Sequence, residues 1–174
     1  MSLEKIEGSN VYVGRKPDSP KPFTLAGVKT LFAVHIDPEL KAEFRKKGIK
    51  VYAIPPIIDP IVSPKLISQI TTLANRSKGN IAFTCMAGAH VSNAYAGIYL
   101  SQKGWSLTKI MRALDKISIK TSKKHISPGL AEGILETIKF SHKNFLETIK
   151  IIKKKTVRKK TTKKKTKRTR QIRK

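Results

Sequence analysis

The segment from Asn80 to Lys103 changes its hydrophobic period within a few residues, and nothing else in the chain constrains the fold as tightly. Asn80-Ile81-Ala82-Phe83-Thr84 is a short apolar run of the kind that forms a buried strand. Residues 91–103 then place Ala94, Tyr95, Ile98 and Tyr99 at three- and four-residue spacing, the period of a helix, and Gly104 follows as a C-terminal cap. Between them lies Cys85-Met86-Ala87-Gly88-Ala89-His90, with a glycine where a tight turn is needed. The uncharged stretch from Ile81 to Leu100 is also near the length of a membrane span. However, Gly88, His90, Ser92 and Asn93 sit in its middle, and a strand, a turn and a helix account for them where a span does not.

The same periodicities lay out the rest of the chain. Strands are expected near 11–14, 29–35, 50–54 and 80–84, and helices near 38–47, 64–77, 91–103, 107–117 and 129–152. Ser63-Pro64 and Ser127-Pro128 each set a serine cap before a proline at the first helical position. Leu130, Ile134 and Ile138, then Phe145, Ile149 and Ile152, give the last helix an apolar stripe that docks on the body. The expected architecture is α/β: a central, mainly parallel sheet flanked by helices, with Cys85 at the C-terminal end of a middle strand. Strand ends of that kind are where such sheets bind ligands. The chain has 174 residues, 39 % of them apolar, which suits one domain over residues 1–150 and a tail over 151–174. One cysteine excludes an internal disulfide framework and fits a reducing compartment. The acid-containing start Met1-Ser2-Leu3-Glu4-Lys5-Ile6-Glu7 is not a secretory signal, so a cytoplasmic or nuclear setting is expected.

Residues 84–92, Thr-Cys-Met-Ala-Gly-Ala-His-Val-Ser, resemble the phosphate loop His-Cys-x5-Arg-Ser/Thr of cysteine-dependent phosphatases. Cys85, Ala87, Gly88 and Ser92 are in register with it, whereas Val91 stands in the arginine slot and Thr84 in the histidine slot. Further segments are similar in the same order. Asn10-Val11-Tyr12-Val13-Gly14 resembles the opening strand, Leu25 to Val34 the next strand, and Phe44 to Pro55 the helix end and strand before the general-acid loop. Tyr99-Leu100, Gly104-Trp105-Ser106, Ala113-Leu114 and Ile126-Ser127-Pro128-Gly129-Leu130 continue the likeness. It covers residues 8–150 and points to the small, single-domain dual-specificity or protein-tyrosine phosphatases.

That resemblance implies roles for named residues. Cys85 is placed as the nucleophile that forms a phosphocysteine, and Ser92 as the hydroxyl that helps the thiolate leave. The loop of Met86, Ala87, Gly88, Ala89, His90 and Val91 is placed around the phosphate. Backbone N–H donors and the positive end of the following helix serve the anion, and the same donors favour a thiolate. Asp59, in Pro55-Pro56-Ile57-Ile58-Asp59-Pro60 and 26 residues before Cys85, is placed as the general acid. No metal or other cofactor is implied. Each residue also has an ordinary reading: Cys85 as an inert core thiol, Asp59 as a turn aspartate beside proline, Ser92 as a first-turn serine, His90 as a solvent-facing loop residue.

Val91 divides the functional readings. Arginine grips two phosphate oxygens with a permanent charge, and valine cannot. Removing one oxyanion donor from an enzyme costs about 10²–10³ in rate. The expectation is therefore a protein that binds a phosphorylated protein or other phospho-ligand at Cys85 with little or no turnover. The alternative is an active phosphatase that draws positive charge from elsewhere.

The formal net charge is +26, unevenly placed. Residues 151–174 hold 14 Lys or Arg and no acid, leaving 23 basic and 11 acidic side chains in the body. From Lys153 onward only Val157 and Ile172 are apolar, so this stretch has no core material of its own. Contact with a polyanion such as nucleic acid is the expected role, beside the alternatives of an anionic membrane surface or nuclear import. No aromatic side chain is interleaved there, so base stacking is not supported. Duplex DNA binding by the full chain should weaken with salt at a log–log slope of about −0.9 per phosphate neutralised. A chain lacking residues 153–174 should lose most of that slope; an unchanged slope would make the tail a solubilising extension.

Overall fold

A computed structural model of the chain describes residues 3–57, 62–122, 126–143 and 146–147. In chain order the elements are β1 (Leu3–Lys5), β2 (Val11–Arg15), α1 (Lys21–Leu25), β3 (Val28–Ala33), α2 (Pro38–Lys46), β4 (Lys50–Ala53), α3 (Pro64–Asn75), β5 (Asn80–Cys85), α4 (Val91–Gln102), α5 (Leu107–Ser122) and α6 (residues 128–143). The strands form one sheet in the order β1-β2-β5-β3-β4. All neighbours are parallel except β1, which pairs antiparallel with β2. The expected α/β architecture with a mainly parallel sheet is what the chain forms.

The burial of β5 explains its composition. Hydrogen-bonded to β2 on one side and β3 on the other, its residues from Ile81 to Cys85 are buried. Ile81 and Phe83 face a core built with α3, α4, α5 and α6, while Ala82 faces a smaller core under α1 and α2. Phe83 stacks on Phe32 of β3 at 5.1 Å between ring centroids. α4 is buried at every position from Ser92 to Ser101, as expected of a helix that is apolar around its circumference. It stops where Gly104 takes φ +82°, so that the N–H of Gly104 bonds to Ser101 O and that of Trp105 to Leu100 O.

Most sequence-derived boundaries lie within two residues of these elements, and the differences have local causes. β1 and α1 carry no periodic signal in the sequence: one is three residues with two charges at the sheet edge, the other five residues with a proline in its first turn. α5 runs five residues past the expected end because Leu107–Ser122 keeps its amphipathic spacing. Ser63 caps α3 as expected, its Oγ accepting from the N–H of Leu66 at 3.3 Å. In α6, Ile134 and Ile138 are fully buried, as the stripe requires, whereas Phe145, Ile149, Ile152 and the tail over 151–174 lie outside the described residues.

α6 docks on α4 at a glycine. A methyl group on Gly97 would collide with the fully buried Ile138 side chain and sit 3.3 Å from Ile110 Cγ2. Gly97→Ala should therefore lower stability by about 1–3 kcal/mol, the range for overpacking a filled core. Equilibrium urea unfolding would show it as a lower midpoint with unchanged slope; an unchanged midpoint would mean that α6 packs less closely than described.

Candidate functional site

β5 delivers Cys85 to the C-terminal end of the sheet, at its centre. The chain then turns over the end of β2 before entering α4. Gly88 makes that turn with φ +69°, and a Cβ there would lie 2.7 Å from the backbone N of Arg15 and 2.8 Å from the carbonyl carbon of Gly14. Backbone cannot be pushed aside cheaply, so the loop needs glycine for its conformation and for its closeness to β2. Along the loop, Met86 and Ala87 are exposed, and Gly88, Ala89, His90 and Val91 are half-buried.

Cys85 is 6 % exposed and its thiol donates to Ser92 Oγ over 3.4 Å. Ser92 is fully buried in the first turn of α4. The first intrahelical bond runs from the N–H of Ala94 to His90 O at 2.9 Å, and no side chain caps this helix end. The first-turn donors of α4 therefore carry the helix's positive pole to the loop that follows Cys85. Unsatisfied N–H donors at a helix N-terminus are a general geometry that favours anions.

The structure separates the remaining sequence candidates. Val91 is half-buried against the larger core and contributes no charge to the loop. His90 is not the solvent-facing residue of its ordinary reading. Its Nε2 is buried, lacks a hydrogen-bond partner among the described residues, and lies 3.6 Å from where a Cβ on Gly133 of α6 would stand. Asn93 is 5 % exposed with its Oδ1 likewise unpartnered. Asp59 lies outside the described residues, but both flanks of its segment are anchored. The Tyr95 hydroxyl on α4 donates to Pro55 O at 2.9 Å, and the N–H of Val62 donates to Ser141 Oγ on α6 at 3.2 Å.

Two side chains at this end of the sheet were not singled out from the sequence. Tyr95 read only as part of a helical stripe, yet its phenol ties the helix after the loop to the segment before Asp59. Arg15 ends β2 directly opposite Cys85 in the parallel register, and register between distant strands is not visible in local sequence pattern. Next to it, Lys16 forms an ion pair with Asp37 at 3.1 Å. Among the described residues no group of three or more His, Cys, Asp or Glu could hold a metal, and no helix is long and apolar enough to cross a membrane.

No protein-family model matches the sequence, and no curated protein sequence matches it. Solved structures do match. Tk-PTP in its active form is 18% identical at a TM-score of 0.56, the alignment covering 79% of this chain and 95% of that one. PTPMT1 is 19% identical at 0.58, covering 85% and 98%. The catalytic core of the S. cerevisiae PP-IP phosphatase Siw14 is 15% identical at 0.56, covering 76% and 82%. The chain thus has the fold of the cysteine-dependent tyrosine and dual-specificity phosphatases.

Burial of the Tyr95 phenol pushes its pKa from 10.0 to about 12. The unfolded chain releases that proton near pH 10 and the folded chain holds it to about 12. The stabilisation is complete below pH 10 and is lost as pH rises from 10 towards 12. Tyr95→Phe should lose stability less steeply than the unmodified chain across that window, as measured by urea unfolding at stepped pH. Identical pH slopes would mean that the phenol is solvated.

Proposed function

We propose that the Cys85 loop binds a phosphomonoester and turns it over slowly or not at all, on the fold it shares with cysteine-dependent phosphatases. The observation that carries this reading is the contrast inside one loop. Three features of its backbone favour an anion: Gly88 pressed on β2, Ser92 on Cys85, and an α4 N-terminus without a side-chain cap. Against them stands Val91, which by resemblance occupies the family's arginine position and is half-buried against the core.

In chemical terms, backbone donors fix the phosphate oxygens of a bound ligand, and the Ser92 hydroxyl contacts the sulfur that faces the phosphorus. What is missing is a preorganised, bidentate positive charge for the oxygens that gain charge as the P–O bond to the leaving group breaks. A site that holds the ground state and the transition state alike gains affinity without gaining rate. Phosphoproteins and phosphorylated small molecules both present the group this loop fits; PTPMT1 has been crystallised with PI(5)P. The 14 basic side chains of residues 151–174 add a second, independent affinity for polyanions, nucleic acid among them.

Hydrolysis of p-nitrophenyl phosphate tests the reading. The unmodified protein should show little turnover, and Val91→Arg should raise it by up to ~10²–10³, the worth of one oxyanion donor. Robust turnover by the unmodified protein that Cys85→Ser abolishes would overturn it in favour of an active phosphatase.

A further inference from the structure

We infer that Arg15, on the strand beside Cys85, supplies the positive charge for the anion held in the Cys85 loop. This rests on the reading of that loop as a phosphomonoester site. A loop with a cradle but no charge holds a dianion poorly, because neutral N–H donors replace only part of the hydration it gives up. The loop's own residues and Lys16 do not supply that charge. Val91 is an uncharged side chain half-buried against the core, and His90 turns its buried Nε2 towards α6. Lys16 is already paired with Asp37.

Arg15 meets the geometric requirements. β2 and β5 are parallel with Arg15 opposite Cys85, so the two side chains leave the sheet on the same face. The inward residues that precede them, Val11 and Val13 on β2 and Ile81 and Phe83 on β5, all enter the same core, which fixes that parity. The stem of Arg15 lies along the loop, its Cγ 2.7 Å from where a Cβ on Gly88 would sit. The residue is exposed and forms no ion pair among the described residues. A permanently charged guanidinium is thus uncommitted at the rim of the cradle, attached through a flexible stem.

The position also accounts for a binder that is not a catalyst. Arginine from the loop itself would be held by its own backbone, aligned with the oxygens before reaction begins. From a strand end the same group approaches from outside the loop and has to be ordered by the ligand it binds. Charge delivered in that way favours occupancy over preorganised stabilisation of the transition state.

The test is a titration of the full-length protein with inorganic phosphate at fixed ionic strength, read from the backbone amide NMR signals of residues 86–92. Because those amides report the loop alone, phosphate bound by the basic tail does not enter the reading. Arg15→Gln keeps most of the methylene stem against Gly88 while removing the charge. It should raise the half-saturating phosphate concentration by ~10-fold or more, the size of a charge-assisted hydrogen bond. Arg15→Lys should recover part of the loss. Lys50→Gln, which removes a charge from an exposed residue at the opposite end of the sheet, should titrate like the unmodified protein. If Arg15→Gln titrates at the same concentration as the unmodified protein, Arg15 is not the cation, and the phosphate-binding loop stands without it. If loop amides of the unmodified protein do not respond to phosphate at all, the binding reading itself falls, and the role of Arg15 with it.

Discussion

The loop between β5 and α4 must cross the end of β2 at a distance that leaves no room for a side chain, and the site follows from that crossing. Gly88 satisfies both demands, a positive φ and a bare Cα facing the backbone of Gly14 and Arg15. With the loop held there, α4 begins directly beyond Cys85, Ser92 comes within 3.4 Å of the sulfur, and the uncapped helix end faces the strand terminus. β5 can place the loop so firmly because it is hydrogen-bonded on both sides and buried on both faces. Sheet, turn and helix are therefore one device, and Val91 at the start of α4 adds no charge to it.

The parts of the fold legible in the sequence are those whose signal is local. The apolar run before Cys85, the serine–proline start of α3 and the glycine end of α4 are each written within a few residues. What stayed hidden depends on residues far apart in the chain. Arg15 acquires its place only through the register that sets β2 against β5, and Tyr95 only through a carbonyl 40 residues away. His90 looked like a loop residue open to solvent because nothing near it predicts that α6 covers its ring. The short edge strand β1 and the single-turn helix α1 carry too few residues for a period to develop.

The two faces of the sheet are unequal, and the inequality bears on the site. Four helices, α3 to α6, cover the face that carries Cys85, whereas α1 and α2 cover the other around a smaller core. The anchors of the segment containing Asp59 both belong to the thick face, one on α4 and one on α6. Its ends are accordingly fixed by the helices that pack around the cysteine. Both described flanks of that segment thus contact the helical layer that packs on the face of the sheet carrying Cys85.

Cys85 is the only cysteine in these 174 residues, and 6 % of its surface is open. Its redox chemistry is constrained accordingly. A sulfenic acid formed on this sulfur has no second thiol within the chain with which to condense into a disulfide. Relief from further oxidation has to come from a small thiol that can enter the loop or from a neighbouring backbone nitrogen. A ligand bound over the sulfur would block the first of these routes as well as the oxidant, so occupancy and redox lifetime would be governed by the same opening.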